Sequence, residues 1–108
     1  MNNNTINRVE LQGRIGTVRI YPVGDGLAAA FSLQTDHIHS GKDGQTICET
    51  TWHNVSVLPS PGASTERLDR GVLVHVEGRL RASRYTAADG TERVFTEVVA
   101  TSLKVIEE

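Results

Sequence analysis

Clusters of turn-forming residues divide the chain at short intervals, and this punctuation restricts the possible folds more than any other feature. The clusters lie at Val23–Gly26, Ser40–Gly44, Pro59–Gly62 and Ala88–Gly90. Glycine adopts positive φ without steric cost, and short polar side chains bond the nearby backbone, so such clusters form turns. The segments between them are rich in β-branched residues and have the length of strands. The pattern predicts an all-β chain.

Five strands and one short helix follow from this division. The helix is predicted from Ser64 to Arg70, with Ser64 as the N-cap and Gly71 just past the end. Three strands, a short helix and two more strands is the order of the OB-fold, a five-stranded Greek-key barrel. Gly13 and Gly78 fall inside strands, where a barrel bends sharply. The predicted strands cover residues 8–20, 27–37, 47–58, 71–84 and 93–106.

Alternation along the strands predicts which side chains face the core, because successive side chains point to opposite faces of a sheet. In the first strand the predicted inward set is Val9, Leu11, Gly13 and Ile15. In the fourth strand it is Val72, Val74, Val76, Gly78 and Leu80, with His75, Glu77, Arg79, Arg81 and Tyr85 outward. The third strand places Trp52 on its more polar face, with Asn54, Ser56 and Leu58.

Length and composition exclude several classes of protein. The 108 residues, of which 38% are hydrophobic and 22% charged, fit one globular domain over residues 1–108. The single cysteine, Cys48, forms no internal disulfide, which favours a reducing cytoplasm. No apolar run approaches the roughly 18 residues that span a bilayer, so we expect no membrane association.

The distribution of charge matters more than its sum. The net charge of −2 argues against a nucleic-acid partner, since proteins that bind polyanions usually carry a basic surplus. Local runs of basic residues can nevertheless form a positive groove. Six of the eleven basic residues form two runs: Arg8, Arg14 and Arg19, and Arg79, Arg81 and Arg84.

Trp52 and Tyr85 lie on predicted faces that also carry Arg79 and Arg81. Aromatic rings stack on bases of any sequence, and guanidinium groups bind phosphates, so this combination indicates binding of single-stranded DNA. Composition alone leaves an alternative equally open, in which the two aromatic residues complete the core or an oligomer interface.

Five blocks of the chain, in order and across nearly its whole length, resemble the bacterial single-stranded DNA-binding protein family. The Trp-His pair and the Glu-Gly-Arg-Leu-Arg stretch are together the most specific. The blocks are Asn7–Gly16, Ala30–Thr35, Thr51–Val55, Val76–Arg81 and Thr96–Val99.

The resemblance implies roles for individual residues. Trp52 matches the family's stacking tryptophan, and Tyr85 lies where the family places an aromatic residue after the basic strand. Arg79, Arg81 and Arg84 become the phosphate-binding candidates, and Arg14 of the first basic run joins them. His53 matches a histidine at a subunit interface, so we expect a homotetramer, or at least a homodimer. The implied function is sequence-tolerant binding and protection of single-stranded DNA in replication, recombination or repair, in the cytoplasm with the nucleoid.

The chain also departs from the family pattern. Leu58 stands where a stacking phenylalanine is common, and the loop from His37 to His39 lacks a tryptophan that many members have. The Asp-Pro-Glu insertion of the first hairpin is absent between Gly16 and Val18. The sequence stops at Glu107 and Glu108, where the family continues into a linker and an acidic tail. The tail has either been removed or is naturally absent, and we expect no tail-mediated replication or repair partners for this chain.

Other functions have less support. His37, His39 and Cys48 include a His-x-His pair, but no further ligand completes a tetrahedral set, so we expect no metal and no cofactor. No spacing indicates a nucleophile elbow or a phosphate-binding loop, so we expect no catalysis. Two alternatives stay open: a primosomal-type OB-fold accessory protein of replication, and an OB domain that binds only proteins.

Overall fold

A computed structural model describes residues 4–59 and 67–107 of the chain. All of its regular structure is β-sheet, and each predicted strand is present, most of them extended into the adjoining hairpins. The five strands are β1 (Val9–Val23), β2 (Gly26–Ser40), β3 (Thr46–Val57), β4 (Leu73–Thr86) and β5 (Glu92–Val105).

The strands close into a barrel with the order β1-β2-β3-β5-β4. Closure depends on β1, whose first half pairs with β4 and whose second half pairs with β2, the change occurring at Arg14. The barrel is completed by a short parallel pairing of Val55–Val57 in β3 with residues 98–100 in β5. This topology confirms the predicted OB-fold.

Two glycines lie where neighbouring backbones approach most closely. A Cβ atom on Gly13 would lie 1.9 Å from the carbonyl oxygen of Gln34, and one on Gly78 would lie 2.1 Å from that of Val99. No side chain fits at such distances, so both positions require glycine if the barrel is to close.

The core lies inside the barrel and confirms the predicted alternation over most of its length. Ile15, Val74 and Val76 are buried, together with Leu33 of β2 and Val55 of β3. A fully buried side chain of this size contributes roughly 1.5–3 kcal/mol to stability. The interior of the barrel therefore accounts for the inward halves of the strand patterns.

The prediction for Leu80 is wrong, because its side chain is 47% exposed. β4 pairs with β1 only as far as Gly78, and the part of β5 that precedes Val98 does not pair with β3. Beyond those points β4 and β5 form a two-stranded hairpin outside the barrel. The side of β4 that faces the core at Val76 faces solvent at Leu80.

The predicted helix is wrong in the part that the structure describes. Ser64 to Glu66 lie outside the described residues, and residues 67–70 form a turn and irregular backbone. The Asp69 carboxylate accepts a hydrogen bond of 2.8 Å from the Arg70 amide, which offers the backbone a local alternative to helical bonding. Leu68 is buried and anchors the segment to the core. Within the described ranges, the structure has no helix long and apolar enough to cross a membrane.

Candidate nucleic-acid interface

An open groove of about 570 Å³ runs over the outside of the barrel, between the β1–β2–β3 sheet and the β4–β5 hairpin. Its floor is polar and small: Thr17, Ala30, Ser32, Asn54 and Ser56 all line it. Pairing explains the floor, because Ala30 lies opposite Ser56, and Ser32 lies opposite Asn54. Opposed residues of paired strands share a face. Such a floor leaves room for a flat ligand between the walls.

The hairpin wall of the groove carries two aromatic rings. Tyr85 is half exposed, and its ring meets that of Phe95 edge to face, with centroids 5.8 Å apart. Both rings line the groove. The structure thus places Tyr85 where a base could stack, and it adds Phe95, which the sequence did not single out. The β4–β5 register indicates Phe95, because it places this residue opposite Ser83, which shares a face of β4 with Tyr85.

Trp52 lies on the outer face of β3, two residues before Asn54, and is 56% exposed. It does not line the groove but continues the same face beyond it. The indole packs on the backbone of β1, where a Cβ atom on Gly16 would lie 2.5 Å from Cζ3 of Trp52. The ring is therefore supported from below by Gly16 and free to accept a stacked base on its outer side.

Arg81 projects from the hairpin wall, but its charge is shared with Glu97. Nε of Arg81 donates to Oε1 of Glu97 at 3.1 Å, and Nη2 also contacts that oxygen. The Glu97 side chain is only 11% exposed. A phosphate that binds Arg81 must therefore compete with a carboxylate already in place.

The other predicted phosphate ligands differ in their surroundings. Arg84 lines the groove and forms an exposed ion pair with Glu92 at 3.1 Å. Arg79 is exposed two residues before Arg81, and no ion pair involves it among the residues that the structure describes. Arg14 donates from Nη1 to the carbonyl oxygen of Gly71 at 3.1 Å.

The strand registers join Arg14 to Trp52. Arg14 lies opposite Gln34, and Gln34 lies opposite Trp52, so the three residues form one row across β1, β2 and β3. The structure therefore gathers Arg81, Arg84 and Tyr85 in the groove. Trp52 and Arg14 form a second group on the same outer surface.

Arg19 and Tyr21 both line the groove from β1. The sequence placed Arg19 in the first basic run, but neither residue was among the predicted DNA-binding residues. The Arg19 guanidinium carbon lies 5.2 Å from the centre of the Tyr21 ring. A register shift between Ile15 and Val18 reverses the alternation of β1, so odd-numbered residues point inward before it and outward after it. The spacing of two between the arginine and the tyrosine was the available signal.

His53 lies on the opposite face of β3 from Trp52 and is partly buried. Its Nε2 is 2.8 Å from the Thr35 hydroxyl on β2. This hydrogen bond fixes the ring within the chain. The predicted role of His53 at a subunit interface stays a prediction.

The β2–β3 hairpin separates the residues of the His-x-His motif from Cys48. His37 and His39 stack with centroids 5.5 Å apart, and Nε2 of His39 lies 2.9 Å from Oε1 of Glu49. Cys48 pairs with Ile38, so its side chain points to the other face of the hairpin. The three candidate ligands therefore do not converge on one point.

Another side-chain group in the described residues has the spacing of metal ligands. Ligand atoms of Glu10, His75 and Glu77 lie within 4.8 Å of one another on the outside of β1 and β4. Nε2 of His75 already lies 2.8 Å from Oε2 of Glu10, and Lys104 is the cross-strand neighbour of His75. A hydrogen bond between His75 and Glu10, and a lysine on the neighbouring strand, thus already belong to the surroundings of this cluster.

The tip of the β4–β5 hairpin is ordered by Asp89. Its carboxylate accepts hydrogen bonds from the Thr91 hydroxyl at 2.6 Å and from the Thr91 amide at 3.0 Å. These bonds favour the ionised form and hold the pKa of Asp89 below its usual value. The ionised carboxylate therefore supports the hairpin turn at neutral pH.

Comparison with known proteins gives consistent results. The model of the single-strand binding protein family matches residues 6–106. A single-stranded DNA-binding protein of Neisseria meningitidis is 32% identical over 106 residues, which cover 94% of this chain and 60% of that protein. The mitochondrial single-stranded DNA-binding protein 1-B of Xenopus laevis is 30% identical, with 92% of this chain and 74% of that protein covered. The chain spans about 60% of the length of the bacterial relatives.

Solved structures agree on the fold. A Plasmodium falciparum protein described as an SSB complex with ssDNA superposes with a TM-score of 0.82 at 24% identity, covering 99% of this chain and all of that chain. A small single-stranded DNA-binding protein from Streptomyces coelicolor has a TM-score of 0.70 at 16% identity, covering 94% and 96% of the two chains. At these identities the likeness concerns the barrel itself.

Proposed function

Because this chain belongs to the single-strand binding protein family, we propose that it binds and protects single-stranded DNA with little sequence preference, in replication, recombination or repair. The observation that supports this most is the groove, in which Tyr85 and Phe95 on one wall lie within the same cavity as three guanidinium groups. The groove is open, as a ligand that continues beyond both of its ends requires. The named relatives are single-stranded DNA-binding proteins, which supports the same ligand for this chain.

Binding divides into two kinds of contact in this proposal. Bases stack on Tyr85 and Trp52, each contact contributing about 1–3 kcal/mol whatever the base. Phosphates bind the guanidinium groups of the hairpin wall, Arg81 and Arg84, with Arg79 and Arg14 at the margins. The polar side chains of the floor, Ser32 and Asn54, then contact the edges of the bases that face them. Both side chains can donate and accept hydrogen bonds, so they select no particular base.

The proposed role is binding without a chemical step, cofactor or metal. We propose that residues 1–108 act as one domain and assemble at least as a homodimer and in full as a homotetramer, with His53 at a subunit contact. The proposed location is the cytoplasm, with the nucleoid, where unpaired DNA is exposed during replication.

Trp52 provides a direct assay because it is the only tryptophan of the chain. We expect its fluorescence to fall when a homopolymeric single-stranded oligonucleotide is added, and to recover as salt is raised. Neutralised phosphates release counterions, so log K should fall with log salt by about 0.7 for each phosphate on a single strand.

A pair of variants tests the hairpin wall in the same assay. Tyr85→Leu removes the ring and should weaken binding, whereas Tyr85→Phe keeps the ring and should bind like the parent. Quenching that is absent, or equal with a duplex of the same length, would contradict the proposed function. An OB domain that binds only proteins would show no quenching with either DNA.

A further inference from the structure

The three guanidinium groups of the groove differ in how their charge is compensated. Arg81 is paired with Glu97 and Arg84 with Glu92. Arg19 has no carboxylate partner within residues 4–59 and 67–107, and its guanidinium lies over the Tyr21 ring. Among the described residues, Arg19 is therefore the groove cation whose charge no carboxylate neutralises.

Local pairing keeps this cation accessible. Arg19 lies opposite Ala30 and Tyr21 lies opposite Ala28, so the neighbouring strand presents only methyl groups to the pair. Arg19 is exposed and Tyr21 is partly buried. The tyrosine is thus the fixed member, and the guanidinium rests on it at the open side of the groove.

The contact between the Arg19 guanidinium and the Tyr21 ring suits a phosphate ligand. A cation–π contact uses no hydrogen-bond acceptor, so it leaves the N–H donors of the guanidinium available to other partners. Those donors match the two oxygens of a phosphodiester in a bidentate contact. Among the described residues, none accepts a hydrogen bond from these donors.

We propose that Arg19 is a further phosphate-binding residue for single-stranded DNA, and that Tyr21 is a positioning residue that holds its guanidinium. The proposal rests on the proposed function and deepens it. The single-stranded DNA would then be held from β1 as well as from the β4–β5 hairpin, with the DNA backbone crossing the polar floor between them.

Salt titrations of oligonucleotide binding test both roles. Arg19→Ala should make the slope of log K against log salt shallower by about 0.7. If the variant and the parent bind equally at about 1 M salt, the variant then binds about fivefold more weakly than the parent at about 0.1 M salt. Tyr21→Leu should also make the slope shallower although it removes no charge, because the guanidinium loses its support. Tyr21→Phe keeps the ring and should retain the parental slope.

A matched control removes the same charge elsewhere. Lys104→Ala takes one positive charge from β5 outside the groove, beside His75, and should leave the slope unchanged. Arg19→Gln repeats the Arg19 test with a longer side chain, so that a folding defect of the alanine variant does not decide the result.

The outcomes separate this inference from the function on which it rests. If the parent protein does not bind the oligonucleotide, the proposed function fails. If the parent binds and both Arg19 variants keep its slope, the phosphate role of Arg19 is wrong and the function stands. If the Arg19 variants lose slope but Tyr21→Leu does not, the positioning role of Tyr21 is wrong.

Discussion

Replacing Glu97 with glutamine should strengthen binding to single-stranded DNA. Glu97 lines the groove, is nearly buried, and contacts Arg81 through one carboxylate oxygen. The substitution removes a negative charge that repels phosphates, and it releases Arg81 from its ion pair. Glutamine has nearly the same shape and keeps an oxygen that accepts a hydrogen bond from Arg81.

The size of the effect follows from counting charges in the groove. Arg81 shares its charge with Glu97 in the parent. If the substitution leaves the whole charge of Arg81 to its phosphate, log K should fall more steeply with log salt by up to about 0.7. If the variant and the parent bind equally at about 1 M salt, the variant then binds up to about fivefold more tightly than the parent at about 0.1 M salt. The cost to stability should be about 1 kcal/mol, because one charged hydrogen bond is exchanged for a neutral one at a partly exposed site.

Fluorescence anisotropy of a labelled oligonucleotide, titrated at several salt concentrations, measures both the affinity and the slope. Glu92→Gln is the matched control, because its pair with Arg84 is exposed and already screened by water, so its effect should be smaller. Weaker binding by Glu97→Gln with an unchanged slope would refute the reasoning. It would indicate that Glu97 itself accepts a hydrogen bond from the DNA, and that Arg81 does not bind phosphate.

Three further predictions concern other parts of the chain. Trp52→Ala should weaken binding by about 1–3 kcal/mol without changing the salt slope, and Gly16→Ala, whose new methyl group displaces the indole, should weaken it in the same way; parental affinity of a folded Trp52→Ala protein would show that the ring only packs. His53→Lys should lower the molar mass measured by light scattering, since an unpaired charge buried at an interface is costly, and an unchanged mass at low concentration would place His53 elsewhere. The ionised Asp89 carboxylate stabilises the hairpin turn at pH values above 3.8, the usual pKa of the group, and this contribution is lost as pH falls through its lowered pKa. The amide resonance of Thr91, followed by NMR, should shift over that pH range in the parent but not in Asp89→Asn.

The alternation of side chains made much of the fold predictable from sequence. Val74 and Val76 lie inside the barrel as their spacing indicates, and Trp52 lies on the outer face. Turn residues such as Gly24 and Gly90, both at positive φ, marked the hairpins correctly. These features depend only on local chemistry, which a single sequence contains.

The features that sequence reasoning missed depend on contacts between distant residues. The reversal of β1 at its register shift turns Arg19 and Tyr21 outward, whereas simple continuation of the Ile15 pattern would turn them inward. To predict the contact of Arg81 with Glu97 one must know the β4–β5 register, and to predict the exposure of Leu80 one must know where the barrel ends. Strand periodicity gives faces, but it does not give partners.

Binding of the parent chain to single-stranded and to duplex DNA of the same length, compared by anisotropy at one salt concentration, tests the proposed function most directly. Stacking on Tyr85 and Trp52 requires unpaired bases, so the single strand should bind much more tightly than the duplex. Equal affinity for the two would show that only phosphates are recognised, and it would contradict the proposal that this groove binds single-stranded DNA.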